Sequence, residues 1–256
     1  MLWNASGLNG FSIKASDGTL GGVTDLLFED ISWVIRWLVV DTGNWLADRK
    51  VLLPISVLGP PSQARHDVPV KLTMQQVKDS PVIDMDQPVS RQMEFNVYDY
   101  YGFDPYWGRG VLSTTNCDVA PSLMSLRPSA NKPQNAICSE AQVVSGDSHL
   151  RSMISVTGYH IHAIDGDIGH ADGFLVEDTS WSVRYIKIDT KNWWPGEKVL
   201  ISPRSIRAIE ATDRLIQLDV SRQKVKDAPR YHPAVTVDGA YEELFRKYYF
   251  GSWGTF

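Results

Sequence analysis

Residues 10–52 read GFSIKASDGTLGGVTDLLFEDISWVIRWLVVDTGNWLADRKVL, and residues 158–200 read GYHIHAIDGDIGHADGFLVEDTSWSVRYIKIDTKNWWPGEKVL. The two stretches align without a gap at a spacing of 148 residues, and 19 of the 43 positions are identical. Self-similarity at a fixed spacing is the signature of a repeated structural unit. The sequence therefore contains two copies of one module.

The similarity continues beyond these stretches. Val77-Lys-Asp-Ser-Pro81 matches Val225-Lys-Asp-Ala-Pro229, and each copy then ends in a cluster of aromatic residues. We expect copy 1 to span residues 1–108 and copy 2 to span residues 151–256. The intervening residues 109–150 are rich in Ser, Pro, Asn and Ala, which predicts an irregular linker.

Within each copy the local pattern is mostly β. Asp17-Gly18 predicts a tight hairpin turn, and Gly21 predicts a bulge or a close backbone approach at the start of the next strand. Further strands are predicted at Val23–Phe28, Trp33–Val40, Lys50–Pro54 and Val68–Leu72 because β-branched and apolar residues dominate there. Short strands leave unpaired edges, which closure into a small barrel would remove.

Two helices complete the prediction for copy 1. Thr73 is a suitable cap for a short helix at Met74–Lys78, and Ser90 for a second helix at Arg91–Tyr101. The second pattern recurs in copy 2 from Asp238 to Phe250. We therefore predict a mainly β protein of two tandem small barrels, each with an appended C-terminal aromatic helix.

Charge and cysteine content narrow the function. The net charge is −5, and phosphate binding needs a positive surface, so nucleic acid is not expected as a partner. No apolar run reaches the ~18 residues of a membrane-spanning helix, and the first residues lack the pattern of a signal peptide. With only Cys117 and Cys138 present, we expect a cytoplasmic protein with free thiols and no direct membrane insertion.

The repeated motifs resemble a known family. D-G-x-x-G at residues 17–21, E-D-x-S-W-x-x-R at residues 29–36, D-T-x-N-W at residues 41–45 and K-V-L at residues 50–52 are similar to the PRC-barrel family. The family includes the cytoplasmic barrel of the photosynthetic reaction centre H subunit. The resemblance extends to stand-alone bacterial proteins with tandem PRC barrels and covers nearly all of both copies.

The resemblance implies a non-enzymatic module that binds or scaffolds other proteins. A reaction-centre H subunit also carries an N-terminal membrane helix, for which this sequence has no matching segment. We therefore expect an H-subunit-like scaffold with an unknown protein partner. Two copies of the chain could also form a homodimer. A small-ligand or metal-binding sensor is the alternative, and a hydrolase or transferase is a third possibility that no catalytic motif favours.

Two repeated charged positions are candidate site residues. Arg36 and Arg184 interrupt apolar strands at the same place in each copy. Each is predicted to pair across its hairpin with Glu29-Asp30 or Glu177-Asp178, and contact with an acidic partner is the functional alternative. Asp41 and Asp189 are predicted to cap backbone amides in a turn, and a role as catalytic acids or bases is the alternative.

Exposed aromatic residues are the other candidates for partner binding. Tyr106, Trp107 and Trp253 follow the two aromatic helices in glycine-containing tails, and Trp194 precedes a Pro-Gly turn. Aromatic residues at such positions are typical of protein interfaces. The helix faces themselves are predicted to be core.

A metal site would have to use the histidines of copy 2. His160 and His162 share one face of a predicted strand, whereas a symmetric hairpin would place His170 on the opposite face. The matching positions in copy 1 are Ser12, Lys14 and Gly22. The fold therefore does not depend on these histidines, and no cofactor is expected.

Overall fold

The structure is a computed structural model, and it describes residues 2–46, 49–81, 89, 91–107, 150–190, 198–231 and 239–250. The elements of copy 1 are β1 Leu2–Asn4, β2 Ser12–Lys14, β3 Thr19–Glu29, β4 Ile35–Asp41, β5 Lys50–Pro54, β6 Asp67–Pro69, α1 Met74–Lys78 and α2 Arg91–Tyr101. Apart from Leu150, the predicted linker 109–150 lies outside the described residues, as do Cys117 and Cys138.

Copy 2 repeats this order with two additional strands and with a short α-helix where copy 1 has the 3₁₀ helix Ala5–Leu8. Its elements are β7 Leu150–Ser152, α3 Met153–Val156, β8 His160–Ala163, β9 Gly166–Glu177, β10 Val183–Asp189, β11 Lys198–Ile201, β12 Ile206–Glu210, β13 Leu215–Leu218, α4 Arg222–Lys226, β14 Arg230–Tyr231 and α5 Gly239–Phe250.

The strands form two mixed sheets. One sheet runs β5-β4-β3-β2-β6, and the other runs β12-β13-β8-β9-β10-β11-β14. Pairing is antiparallel except between β2 and β6 and between β8 and β13. The mainly β class is thus confirmed. Among the described strands, neither path returns from its last strand to its first, so closure into barrels stays a prediction.

Each sheet also contains one strand from the other copy. Strand β1 of copy 1 pairs with β9 of copy 2, and β7 of copy 2 pairs with β3 of copy 1. The paired residues are Leu2 with Glu177, Trp3 with Val176 and Asn4 with Leu175 in one sheet, and Leu150 with Glu29, Arg151 with Phe28 and Ser152 with Leu27 in the other. A shift of 148 residues converts one set of pairs into the other. The exchange is therefore reciprocal and obeys an internal two-fold.

The two copies also meet at the turns that follow β3 and β9. Trp33 has φ 58° and Trp181 has φ 51°, a left-handed conformation that costs a bulky residue about 1–2 kcal/mol. The amide of Ile35 donates to the Trp181 carbonyl at 2.8 Å, and the amide of Val183 donates to the Trp33 carbonyl at 2.8 Å. Two strained turns thus hold each other in place.

An apolar core shared by both copies lies beneath the exchanged strands. The largest cluster of buried residues draws on both copies. Phe28 and Phe174 are both buried and their ring centroids lie 5.7 Å apart, and Phe28 also stacks on Trp33 at 5.2 Å. Burying a Phe side chain contributes about 1.5–3 kcal/mol. The interface between the copies is therefore packed like the interior of one domain.

The carboxyl group of Asp25 anchors the exchanged strand β7. It accepts hydrogen bonds from the Ser152 hydroxyl at 2.5 Å and the Ile154 amide at 3.2 Å. Burial raises the pKa of this carboxyl above its usual value, although the same hydrogen bonds oppose the shift. At the matching place in copy 2 the residue is Gly173, so this anchor serves one copy only.

The predicted helices are present. Thr73 caps α1 in a reciprocal capping box with Gln76, as expected from the sequence. Helix α2 packs its buried Val97 and Tyr98 on the sheet of copy 1, and α5 packs Phe245 and Tyr249 on the sheet of copy 2. Ser90 lies outside the described residues. Within the part of the chain that is described, no helix is long and apolar enough to cross a membrane.

The glycines of the D-G-x-x-G motif allow a close backbone approach, as predicted. A Cβ added to Gly21 would lie 1.9 Å from the Asp41 carbonyl oxygen, and one added to Gly169 would lie 2.0 Å from the Asp189 carbonyl oxygen. Both glycines also have positive φ, 149° and 156°. Only glycine fits at these two positions, where the start of β3 or β9 lies against the end of the next strand, β4 or β10.

We predict that Gly21→Ala lowers the free energy of unfolding by at least about 2 kcal/mol, because the new methyl group would overlap backbone atoms that cannot rotate away. Gly22→Ala is the matched control, since its nearest atom would be 4.0 Å from the added Cβ. Urea denaturation followed by tryptophan fluorescence measures both. Equal stability of the two variants would contradict this account of the motif.

Candidate functional site: the cleft between the copies

An open cleft of about 750 Å³ lies between the two copies. Copy 1 supplies one wall from the turn at residues 30–33, which the hydrogen bonds between the two turns hold in place. Copy 2 supplies Arg151 on the exchanged strand β7, the start of β10, and residues of the 202–209 segment. The cleft therefore exists only because the two copies are joined in this way.

The lining of the cleft is strongly basic. Four arginines contribute to it, against Asp30 as the acidic member of the lining, and the four are Arg151, Arg184, Arg204 and Arg207. Counting the formal charges of the lining gives four minus one, or +3, and including Glu177, which pairs with Arg184, gives +2. The whole chain carries −5, so the cleft is a local positive region on an acidic protein. Such a region attracts carboxylate and phosphate groups.

Arg151 is the structural member of this group. Its Nε donates to Asp30 Oδ2 at 2.9 Å, and the two side chains are only 18% and 12% exposed. One of its terminal nitrogens also donates to the Ile209 carbonyl at 3.4 Å. At the equivalent place on the other side of the molecule, Trp3 Nε1 donates to Asp178 Oδ2 at 3.3 Å. The exchanged strands thus each reach an acidic residue of the opposite copy.

Arg204 and Arg207 add exposed charge to the cleft. Both side chains are exposed. Arg207 lies at a β-bulge in β12, between Ile206 and Ala208. A bulge interrupts the regular alternation of side chains between the two faces of a strand. Within the described residues Arg207 forms no ion pair. Its guanidinium is thus an exposed cation of the cleft lining.

The edge of β12 also faces the cleft. This strand ends its sheet and pairs only with β13 among the described strands. Ile209 is the cross-strand partner of Ile216, and the hydrogen bond from the His160 amide to the Arg214 carbonyl sets a register in which Ile216 directs its backbone groups toward β8. The Ile209 carbonyl therefore points away from β13, and Arg151 reaches it from the cleft. In an antiparallel pair the N–H and C=O of one residue point to the same side. The Ile209 amide therefore shares this direction.

Copy 1 lacks these features at the equivalent positions. Ser56 and Gly59 stand where copy 2 has Arg204 and Arg207, and Pro60-Pro61 stands where copy 2 has Ala208-Ile209. Instead of a strand, the structure has two isolated bridges there. Proline lacks an amide hydrogen and blocks strand pairing. The basic, open-edged surface therefore belongs to one side of the pseudo-symmetric molecule.

The two predicted arginines lie in different environments. Arg36 pairs with Glu29 at 2.6 Å, is 17% exposed, and stacks on the Tyr106 ring at 3.8 Å. Arg184 pairs with Glu177 at 2.9 Å but is 50% exposed and lines the cleft. The predicted hairpin pairing with the glutamates is confirmed for both. Only Arg184 is placed where it could also contact a ligand.

The aromatic candidates divide into two groups. Tyr106 and Trp107 are half-buried and pack against the α2 cluster, with Tyr98 and Trp107 ring centroids 5.9 Å apart. Burial raises the pKa of the Tyr98 hydroxyl above its usual range. Trp194 and Trp253 lie outside the described residues. A role for these four aromatic residues in partner binding stays a prediction.

The prediction for His170 was wrong. His160 and His170 are cross-strand partners on the same face, and their ring centroids are 4.5 Å apart. A bulge between Ile161 and His162 shifts the register by one residue, which moves His170 to the other face of its strand.

His162 does not join this pair of rings. Its Nδ1 lies 2.7 Å from Asp167 Oδ1, and this hydrogen bond lowers the pKa of the Asp167 carboxyl. No group of three or more potential metal ligands occurs among the described residues. A metal at His160 and His162 therefore stays an untested alternative.

The D-T-x-N-W turn has the predicted structural role in copy 1. Asp41 Oδ1 accepts a hydrogen bond from the Gly43 amide at 2.8 Å, and Trp45 Nε1 donates to the Leu20 carbonyl at 2.5 Å. The turn therefore ties the end of β4 to the start of β3.

No family model matches this chain, and no curated protein matches it at a significant level.

We predict different consequences for the two repeated arginines. Arg36→Ala leaves Glu29 buried without its cation and removes the stacking on Tyr106, so we expect a loss of about 3 kcal/mol. Arg184→Ala removes a half-exposed pair, for which we expect less than about 1 kcal/mol. Thermal and urea denaturation of both variants measure the difference. A larger loss for Arg184→Ala would contradict the assignment of Arg36 as structural and Arg184 as available.

Proposed function

We propose that this chain is a tandem PRC-barrel-type protein, with each copy closing into a small barrel. Support comes from the motifs that both copies share and from the parallel pairs β2–β6 and β8–β13, which bring distant segments together in the same way in each copy. The kinship with the reaction-centre H subunit is an analogy of fold, and a shared fold does not determine function.

We further propose that the protein is a non-enzymatic scaffold that binds a protein partner in the cleft between the copies. The observation that carries this proposal is the composition of the cleft, which combines arginines with exposed apolar surface. Ile31 lies at its rim and is 68% exposed. Arginines beside an apolar anchor are typical of protein interfaces.

A small-ligand sensor is the second hypothesis, since the cleft volume lies within the range of small-molecule sites. Such sites are lined mainly by apolar and aromatic side chains. Here Trp33 is the aromatic member of the lining, and arginine and serine side chains supply much of the rest. The open, polar character of the cleft favours a macromolecular partner.

Site-specific photocrosslinking tests the docking surface in native cells. A benzophenone amino acid replaces Ile31 in one variant and Ile164 in the other, because both side chains are 68% exposed and Ile164 lies outside the cleft. We expect a reproducible crosslinked protein from position 31 and none from position 164. Equal labelling from both positions, or no specific product from position 31, would contradict the proposal.

A further inference from the structure

We propose that the cleft binds an acidic segment of the partner in extended conformation, which adds as a strand to the edge of β12 that no described strand covers and places carboxylates on the arginines. This inference rests on the docking function proposed above and specifies the chemistry of the partner. Two independent features carry it, the open strand edge and the charge beside it.

The strand edge supplies the backbone contacts. The Ile209 carbonyl points into the cleft, and its only side-chain donor in the described structure is Arg151 at the long distance of 3.4 Å. A peptide amide could replace this weak contact with a direct hydrogen bond. Unpaired strand edges recruit extended peptides in this way, and the main-chain bonds supply affinity.

The arginines supply selectivity for acidic side chains. Arg207 lies on β12 itself, Arg204 lies just before it, and Arg184 lies at the start of β10 in the same cleft. Guanidinium groups bind carboxylates through paired hydrogen bonds. Alternate side chains of an extended peptide point to one face about 7 Å apart. Alternating acidic residues would therefore present several carboxylates to one basic wall.

Comparison of the copies separates this proposal from a general anion site. The side with arginines is also the side with an open edge, whereas copy 1 has Ser56 and Gly59 beside Pro60-Pro61. A small anion would need the arginines alone. The coincidence of both features on one side is what an extended acidic peptide requires.

Fluorescence anisotropy with a labelled ten-residue peptide of alternating Glu and Thr provides the test, using the full-length protein at 50 mM NaCl. The same peptide with Lys in place of Glu controls for charge. A version with N-methyl groups on alternate residues, which cannot donate ladder hydrogen bonds, controls for strand addition. Inorganic phosphate is added as a competitor.

Three protein variants accompany these peptides. Arg204→Ser with Arg207→Ser removes two of the four positive charges of the cleft lining, and Lys71→Ser with Lys78→Ser removes two positive charges from exposed positions of copy 1. Ile209→Pro places at the edge of β12 the proline that copy 1 has at the equivalent position, Pro61. We expect the arginine variant to weaken binding of the Glu peptide at least tenfold and Ile209→Pro to weaken it severalfold, with the lysine variant unchanged. If Ile209→Pro unfolds, the N-methyl peptide carries the same test.

Two results would overturn the inference. The Glu peptide and its N-methyl form could bind equally and be displaced by phosphate, which would define a general anion site. Alternatively, the arginine and lysine variants could bind the Glu peptide equally. Repeating the Ile31 crosslinking with the arginine variant separates the two proposals. If the arginine variant still captures the partner, the docking function stands and the acidic segment is excluded. If the wild-type protein captures no partner from position 31, the docking function is rejected.

Discussion

The structure depends on the backbone pairing that each copy makes with the other's first strand. Strands β1 and β7 are three residues long and would have little stability alone. Each is held because the long strand of the opposite copy offers it a free edge, and because the Trp33 and Trp181 turns hydrogen-bond across the same interface. The exchange places one apolar core under both sheets and fixes the walls of the cleft.

The pseudo-symmetry of this frame makes its exceptions informative. Where both copies need the same contact, the residues agree, as in the Arg36–Glu29 and Arg184–Glu177 pairs. Elsewhere the copies diverge, and the region around the cleft shows the largest contrast in charge and backbone pairing. One side has Arg204, Arg207 and an open strand edge, and the other has small residues and two prolines. The divergence therefore falls on the side of the molecule that holds the cleft and the proposed docking surface.

Much of the fold could be predicted from the sequence because local patterns encode it. The capped helix α1 and the strand β5 were predicted with the bounds that the structure shows, and the Gly21 close approach was also correct. Trp33 was assigned to a strand but lies in the turn before β4, since its left-handed φ has no local sequence signal. The position of His170 depended on a bulge that alternation alone does not reveal.

The cleft could not be predicted because it is a tertiary feature. Strands β1 and β7 are too short to show a period, and their partners lie 121 to 175 residues away along the chain. Arg204 and Arg207 lie beyond the stretch in which the copies align closely. Comparing residues 54–61 with residues 202–209 position by position would have shown the contrast in charge and proline content.

The most direct test of the account is to express residues 1–108 and 149–256 as two separate chains in one cell, with an affinity tag on the first. Reciprocal strand exchange predicts that the untagged chain copurifies in a 1:1 complex, and that the complex unfolds in one cooperative transition. Each chain alone should lack a strand of its sheet and expose half of the shared core. Two chains that purify separately as stable, folded monomers would contradict the exchange and the cleft built on it.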